Sequence, residues 1–389
     1  PYQRWQIRRT QGGLQADDYQ RRVACLWKRR PLFEIVLVVG TGEKTLLADS
    51  IDALAAQYYD GWRLSIFAPF SSPDAEFLAP DSPVRWFALT RPEDPEALAT
   101  AVNCRLAESR ADWISFLACG TRLAPEALLC IGDYLALHPD WRLIYSDEDT
   151  LAADGTGEAP QFKPDFNLEL LRATDYLGGV FVERAALCAA GGYARCPGGE
   201  TYDLALRLVD HAGEAAIGHI PEVLQRRPVS ARASAEDDAA RQALAAHFAR
   251  RGIDAEILPG LIDGQSRRPV YRHTTRPLVS IIVPTRNRLD LLAPCVESLF
   301  ANTAYPNWEL IIVDNGNPEP ATTHYFAELR AAQPQRVRIL AQPGDFDFAR
   351  LNNHAAELAH GDYLLLLNDD TQCIHDDWLD ALLAHAQRP

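Results

Sequence analysis

The sequence predicts an α/β protein built from two tandem units, each with a Rossmann-like, mostly parallel sheet. Three observations lead to this prediction: the chain repeats itself, its apolar runs are short and rich in β-branched residues, and helical patterns separate those runs. Continuous apolar runs of this length indicate parallel strands that are covered on both faces. In such sheets, ligands bind at the carboxyl ends of the strands.

The internal repeat is the most informative of these observations. Three segments in the first part of the chain recur in the second part, in the same order. Such a repeat indicates two related supersecondary units. The paired segments are 30–41 (RPLFEIVLVVGT) with 276–287 (RPLVSIIVPTRN), 60–71 (DGWRLSIFAPFS) with 306–317 (PNWELIIVDNGN), and 111–129 (ADWISFLACGTRLAPEALL) with 361–379 (GDYLLLLNDDTQCIHDDWL).

Each unit opens with a strand, a helix and a second strand. The strands are apolar runs, whereas the segment between them places apolar residues three and four apart, as on one face of a helix. A further apolar run of the second unit, Tyr363–Leu367, is predicted to be another buried strand. The other predicted strands are Glu34–Val39, Leu64–Phe67, Val279–Val283 and Leu310–Val313.

Composition excludes several classes of protein. The net charge is −15, which rules out a global basic footprint for nucleic acid and argues against anionic membranes. No apolar run approaches the roughly 18 residues of a membrane span, although peripheral membrane contact stays open. The eight cysteines form no CxxC pair, so we expect reduced thiols in a cytoplasmic protein and no zinc site.

Polar side chains follow three predicted strands of the second unit. Because the carboxyl ends of parallel strands meet at one edge of a sheet, these side chains can converge although they are distant in sequence. The three polar segments are 284–288 (PTRNR), 314–316 (DNG) and 368–370 (NDD).

These segments suit a nucleotide and a metal ion. Two carboxylates and an amide favour a hard divalent cation such as Mn²⁺ or Mg²⁺, which could neutralise a departing diphosphate. Asp314 could accept hydrogen bonds from a nucleobase edge, and Arg286 could face a phosphate or the base. Each segment also has a structural interpretation, because Asp-Asn-Gly is a good turn and an Asp pair can cap a helix. Their combination at three strand ends favours a binding site.

The second unit resembles the donor half of a family 2 glycosyltransferase with the GT-A fold. The resemblance implies transfer of a sugar from a nucleotide diphosphate-sugar, linked to UDP or dTDP, with inversion and a divalent cation. It rests on four segments in order: 279–288 (VSIIVPTRNR), 308–316 (WELIIVDNG), 346–363 (FDFARLNNHAAELAHGDY) and 364–372 (LLLLNDDTQ).

The resemblance also implies roles for individual residues. The segment 368–370 stands where the family has its Asp-x-Asp metal motif, with Asn368 in place of the first carboxylate, as in rhamnosyltransferase-like members. Asp370 is therefore the expected metal ligand. The residues expected to bind the donor are Pro284, Thr285, Arg286, Asp314, Asn353, Asn368 and Asp369.

The first unit resembles the same family over a longer span, including its acceptor half, but lacks the donor residues. Val-Gly-Thr (39–41), Ala-Pro (68–69) and Ala-Cys-Gly (118–120) replace the three polar segments, so we expect a pseudo-enzyme. Thr201 stands where the family has its catalytic Asp, and the neighbouring Glu200 is the candidate substitute base.

We interpret two other segments of the first unit as structural and not as ligand sites. Asp147, Glu148 and Asp149 follow a predicted strand, and we favour a structural role for them over a metal site. Residues 230–254 form an alanine-rich helical pattern, which we interpret as part of a linker with solvated charges.

The predicted domains are an N-terminal preamble (1–29), a degenerate GT-A unit (30–268) and the donor-binding half of a second GT-A unit (269–389). The second unit lacks an acceptor half, so we expect it to be truncated here. The predicted function is transfer of a sugar to a glycan or lipid-linked glycan acceptor. The competing predictions are a non-catalytic glycan-binding or scaffold protein and, less well supported, a nucleotidyltransferase.

Overall fold

The computed structural model describes residues 2–6, 16–40, 42–73, 75, 77, 79, 82–89, 94–152, 155–194, 196, 199–228, 234–262 and 266–388. The chain divides into two compact units. Unit one comprises Pro1–Ile253 and Ile257–Pro269, and unit two comprises Asp254–Glu256 and Val270–Pro389. Among the described residues, none of the helices is both long enough and apolar enough to span a bilayer.

Unit one contains helices α1 to α9 and strands β1 to β9. The helices are α1 (residues 2–6), α2 (Ala16–Leu26), α3 (Lys44–Ala55), α4 (Pro95–Glu108), α5 (Ala127–Leu137), α6 (Leu168–Ala173), α7 (Arg184–Ala189), α8 (Glu200–Ala212) and α9 (Ser234–Arg251). The strands are β1 (Phe33–Val38), β2 (Trp62–Ala68), β3 (Val84–Ala88), β4 (Trp113–Ala118), β5 (Arg122–Leu123), β6 (Leu143–Leu151), β7 (Gly157–Gln161), β8 (Val180–Glu183) and β9 (Ile217–Pro228). A separate two-stranded sheet pairs β10 (Ala255–Pro259) with β11 (Arg267–Tyr271).

The main sheet of unit one has nine strands in the order β3-β2-β1-β4-β8-β6-β9-β5, with β7 paired to β6. The first four strands are parallel, as predicted. Strand β8 then pairs antiparallel with both β4 and β6, and the second half of the sheet is mixed. The prediction of an α/β fold is therefore confirmed, but the parallel arrangement extends over only part of this sheet.

Unit two contains one four-stranded sheet in the order β14-β13-β12-β15, and all of its pairs are parallel. Its apolar strand residues alternate between two faces, as the pleat requires. Helices α10, α11 and α13 cover one face, and α12 covers the other. The elements are β12 (Val279–Thr285), α10 (Leu289–Ala301), β13 (Trp308–Asp314), α11 (Pro320–Ala332), β14 (Val337–Ala341), α12 (Phe348–Leu358), β15 (Tyr363–Leu366) and α13 (Trp378–Ala386).

The sheet of unit two repeats the first four strands of unit one in order, direction and register. In both units, the first strand lies between the second and the last of the four. The repeated segments of the sequence therefore occupy equivalent places in the two units. The equivalent cross-strand pairs are Phe33–Trp62 with Val279–Trp308, and Phe33–Trp113 with Val279–Tyr363.

Strand β15 differs from the buried strand that the sequence predicts. It lies at the edge of its sheet, and the side chains of Leu364 and Leu366 are 49% and 52% exposed. The equivalent strand of unit one, β4, is covered by β8, whereas no strand among the described residues pairs with the outer edge of β15. An edge strand leaves backbone groups unpaired on its outer side. One face of β15 also lacks a covering layer, because Leu364 and Leu366 both lie on that face and are exposed.

For the described part of residues 230–254, which begins at Ser234, the interpretation as a solvated linker is wrong; residues 230–233 lie outside the described residues. Helix α9 packs into unit one, where Leu244 and His247 are completely buried. Arg267, from the basic stretch that follows, is 5% exposed and forms an ion pair with Asp237 at 3.2 Å. The alanine-rich pattern is therefore the tightly packed face of a core helix.

Candidate functional site

A side-chain hydrogen bond links the end of β12 to the turn that follows β15. Thr285 is the last residue of β12, and its Oγ1 donates to Oδ2 of Asp369 at 2.8 Å. Asp369 and Asp370 lie at the corner of a turn that the Thr371 amide closes by donating to the Asn368 carbonyl at 3.3 Å. The structure therefore brings together two of the predicted site residues that are far apart in the sequence.

Asp314 ends the neighbouring strand β13, in register with Thr285. Its Oδ1 accepts hydrogen bonds from the Gly316 and Asn317 amides, at 3.1 and 2.9 Å, and from the Asn317 side chain at 2.6 Å. These bonds build an Asx turn, so the structural interpretation of Asp-Asn-Gly is correct for this oxygen. Within the described part of the chain Oδ2 makes no hydrogen bond, and it is the oxygen that could meet a nucleobase edge.

Asn317 joins the two loops and is a residue that the sequence analysis missed. Its Nδ2 donates to Asp314, and its Oδ1 accepts a hydrogen bond from the backbone amide of Asn287. Asn287 has a φ of +54°, a left-handed conformation that Asn tolerates better than most residues. The available signal was the second Asn in the 314–317 segment, DNGN, because Asn side chains commonly bridge backbone turns.

A third loop, residues 342–347, is fixed against the end of β13 by Asn315. This side chain is 1% exposed, and its Nδ2 donates to the carbonyls of Gln342 at 2.7 Å and Gly344 at 3.4 Å. The Gln342 amide in turn donates to the Asp314 carbonyl at 2.8 Å. Hydrogen bonds therefore fix the backbones of the two loops on either side of Asp314.

The remaining predicted residues also belong to unit two, and among the described residues no hydrogen bond joins their side chains. Pro284 is buried within β12, opposite Val313. Asn353 is exposed on α12, whereas its neighbour Asn352 is buried and donates to the Phe348 carbonyl. Arg286, Asn368 and Asp370 are exposed after their strands.

The carboxylates of Asp369 and Asp370 fit a divalent cation. Both are oxygen donors, and neither forms an ion pair with any cationic side chain that the structure describes. Thr285 occupies one oxygen of Asp369 and leaves the other available. No group of three or more His, Cys, Asp or Glu side chains in the described ranges could hold a metal ion alone. Cations that bind with few protein ligands complete their coordination with water and substrate phosphates, so the donor set is compatible with Mn²⁺ or Mg²⁺.

The same turn exists in unit one without its charges. The Thr121 amide donates to the Ala118 carbonyl at 3.0 Å and closes a turn with Cys119 and Gly120 at its corner. A Cβ placed on Gly120 would lie 3.2 Å from Leu46 and 3.3 Å from Pro228, so apolar atoms line the place that corresponds to Asp370.

The equivalents of the other donor residues are also apolar or neutral. Val39 corresponds to Thr285 and Ala68 to Asp314, and both are completely buried. Burial raises the pKa of the Cys119 thiol to about 11, so this residue is no anionic ligand at neutral pH. Thr41, from the replaced 39–41 segment, lies outside the described residues.

The acids Asp147, Glu148 and Asp149 lie within strand β6, and not after it as the sequence suggests. All three are buried, and each is paired with a basic side chain. Buried carboxylates whose oxygens are held by such partners have a structural role, as the sequence analysis favours. The pairs are Asp147–His219 (3.0 Å), Glu148–Lys163 (3.1 Å), Glu148–Arg227 (2.6 Å) and Asp149–Arg226 (2.8 Å).

Glu200 is the first residue of α8 and is half-buried. Burial raises the pKa of the Tyr193 hydroxyl, and its hydrogen bond with Glu200 raises it further. Glu200 is therefore in contact with a neutral phenol. Its role as a base stays a prediction.

Comparisons with known proteins identify a family model and relatives that this chain resembles. Residues 280–389 match the family described as Glycosyl transferase family 2. The chain is 35% identical over 377 residues to the protein y4gI of Sinorhizobium fredii, covering 92% of this chain and 41% of that protein. It is 36% identical over 385 residues to the O-antigen biosynthesis protein RfbC of Myxococcus xanthus, covering 95% of this chain and 29% of that protein. The chain thus spans less than half the length of either relative.

Among solved structures, residues 1–349 of TarS from S. aureus superpose with a TM-score of 0.44 at 12% identity. The superposition covers 56% of this chain and 65% of that chain.

Proposed function

We propose that this chain, whose residues 280–389 form a glycosyl transferase family 2 domain, binds a nucleotide diphosphate-sugar in unit two and transfers its sugar with inversion. The acceptor would be a glycan or glycoconjugate, in keeping with the name of the relative that takes part in O-antigen biosynthesis. Both units would be GT-A folds in tandem, and the enzyme would work in the cytoplasm.

A single observation carries this proposal. The first four strands of the two units have the same order and register. At the strand ends of unit two stand the charged side chains of Arg286, Asp314, Asp369 and Asp370, whereas the corresponding described residues of unit one are Gly40, Ala68, Cys119 and Gly120. If those side chains served the fold, unit one would need them as well. Their restriction to one of two equivalent sheets supports a ligand site in unit two and the loss of that site from unit one.

Different residues of unit two would contact different parts of the donor. The free Oδ2 of Asp314 would accept a hydrogen bond from the nucleobase, on a loop that Asn317 and Asn315 hold still. The exposed Arg286 would contact a phosphate with its guanidinium group. A divalent cation at Asp370 would neutralise the charge that develops on the departing diphosphate.

Inversion follows from the direction of attack. The acceptor hydroxyl forms its bond to the anomeric carbon on the side opposite the diphosphate, whose bond to that carbon breaks. A base takes the proton from the hydroxyl. Unit one, with the buried Cys119 and Gly120 in place of a metal motif, would act as a pseudo-enzyme that binds acceptor glycan.

Calorimetric titration tests the donor site. UDP and dTDP would be titrated into the chain with and without Mn²⁺, and into an Asp314→Ala, Asp370→Ala double variant. We expect nucleotide binding that requires Mn²⁺ and is lost in the double variant. The matched control is Glu328→Ala, which removes an exposed carboxylate from α11 of the same unit and should bind as the parent does.

Other outcomes would assign a different function. Nucleotide binding that survives in the double variant would contradict a donor site in unit two. Absence of nucleotide binding, together with retained binding of polysaccharide, would favour the competing class of non-catalytic glycan-binding or scaffold proteins.

A further inference from the structure

We infer that Thr285 is a positioning residue, which orients the carboxylate of Asp369 toward the divalent cation. The inference rests on the proposed function of unit two. Its basis is the hydrogen bond from Thr285 Oγ1 to Asp369 Oδ2 at 2.8 Å, between the ends of two adjacent strands. Thr285 is 2% exposed, so its side chain is fixed where it makes this bond.

The hydrogen bond uses the only donor of the Thr285 side chain. A hydroxyl has one proton to donate, and that of Thr285 is directed to Asp369, so it has no second proton to donate to a nucleotide. The bond fixes one oxygen of the carboxylate and leaves the other free for a ligand. Residues that form hydrogen bonds with metal ligands commonly orient those ligands. Such residues affect metal affinity without contacting the metal.

Unit one provides an internal comparison for this pair. Val39 takes the place of Thr285, and Cys119 takes the place of Asp369. Both residues are buried, with exposures of 0% and 5%. The hydroxyl and the carboxylate are therefore present together in unit two and absent together from unit one.

This joint replacement argues against a purely structural role for the hydroxyl. Valine has nearly the shape of threonine but lacks the hydroxyl group, and the strand end of unit one forms with valine at this position. The fold of such a strand end does not require the hydroxyl. What requires it is the carboxylate that it contacts.

The test is a titration of Mn²⁺ followed by electron paramagnetic resonance, with UDP present at saturation. For Thr285→Val we expect Mn²⁺ affinity to fall roughly 10- to 100-fold, the range for loss of a group that orients a metal ligand. Thr285→Ser, which keeps the hydroxyl, should restore affinity close to that of the parent. The matched control is Val39→Thr in unit one, which should leave Mn²⁺ affinity unchanged.

A double-mutant cycle with Asp369→Asn tests whether Thr285 acts through the Asp369 carboxylate. If Thr285 acts through the carboxylate, Thr285→Val should have little further effect in the Asp369→Asn background. Unfolding midpoints of all variants show whether they fold, and Thr285→Ala against Thr285→Ser provides a second pair if the valine variant is unstable.

The outcomes separate this inference from the proposed function. Equal Mn²⁺ affinity in the parent and Thr285→Val, with the parent binding Mn²⁺ and UDP, would overturn the positioning role alone. Additive losses in the cycle would also overturn it. A parent that binds neither ligand would overturn both the proposed function and this inference.

Discussion

Asn317 donates a hydrogen bond from its side-chain amide to the Asp314 carboxylate at 2.6 Å. This contact crosses from the loop after β13 back to the strand end. Because the same side chain also accepts from the Asn287 amide, Asn317 ties two strand ends of the candidate site together.

Loss of the hydrogen bonds of the Asn317 side chain should lower both the stability of unit two and its affinity for UDP. Asn317→Ala should destabilise unit two by about 1 kcal/mol, because hydrogen bonds to a charged group contribute more than neutral ones but this site is partly exposed. Asn317→Asp should be worse, since it places a second negative charge beside Asp314. Urea denaturation measures the stability of both variants, and UDP titration measures their nucleotide affinity; in each, Asn317→Asp should lose more than Asn317→Ala. Stability and UDP affinity equal to those of the parent in both variants would contradict the role of the Nδ2 donor.

The buried Glu309 should make the stability of unit two depend on pH. Burial acts to raise the pKa of this carboxyl, but hydrogen bonds from Ser280 and His360 and the charge of Arg338 outweigh it, so its pKa lies below the usual value. A depressed pKa stabilises the folded state above the unfolded pKa of about 4.3, and this contribution is lost as pH falls through the folded pKa.

The variant Glu309→Gln isolates this effect. Its deficit in unfolding free energy relative to the parent should be largest near pH 7 and should shrink below about pH 4.3. Urea denaturation of both proteins from pH 3 to pH 7 measures the difference. A deficit that stays constant over this range would show that the charge of Glu309 contributes nothing.

The acids of β6 should matter for stability and not for donor binding. Glu148 is 2% exposed and paired with Lys163 and Arg227. Removal of one partner from a buried pair commonly costs about 3–5 kcal/mol, so Glu148→Gln should strongly destabilise unit one. Binding of UDP with Mn²⁺, measured well below the unfolding transition, should be unchanged. Loss of nucleotide affinity in the folded variant would instead indicate that these acids contribute to ligand binding.

The two faces of β15 should tolerate substitution differently. Leu364→Ala should change the unfolding free energy by less than about 0.5 kcal/mol, because its side chain is 49% exposed. Leu365→Ala should cost about 2 kcal/mol, because Leu365 packs against the core of unit two. Denaturant unfolding of the two variants compares the faces directly. Equal costs would contradict the difference in burial between the two faces of this strand.

The α/β class and the positions of the predicted strands are confirmed, because both depend on local apolar patterns. The sequence also places Thr285 and Asp369 at the same sheet edge, although their hydrogen bond depends on the register of β12 and β15. Asn317 was missed because its role requires the left-handed backbone of Asn287, which no local pattern specifies.

The prediction of a buried β15 fails for a related reason. An apolar run such as Tyr363–Leu367 indicates that a strand can be covered, but not that a covering element is present in the sheet. Similarly, the alanine-rich pattern around α9 fits a solvated helix as well as a packed one. Only tertiary contacts, such as the buried His247, distinguish them.

The central claim is that the donor site lies in unit two and has been lost from unit one. Crystals of the chain grown with UDP and Mn²⁺, measured at the manganese absorption edge, test it most directly. We expect an anomalous peak within coordination distance of the Asp370 carboxylate, with the nucleobase close to Asp314. A manganese peak in unit one, or ordered UDP elsewhere with no metal beside Asp370, would contradict the account.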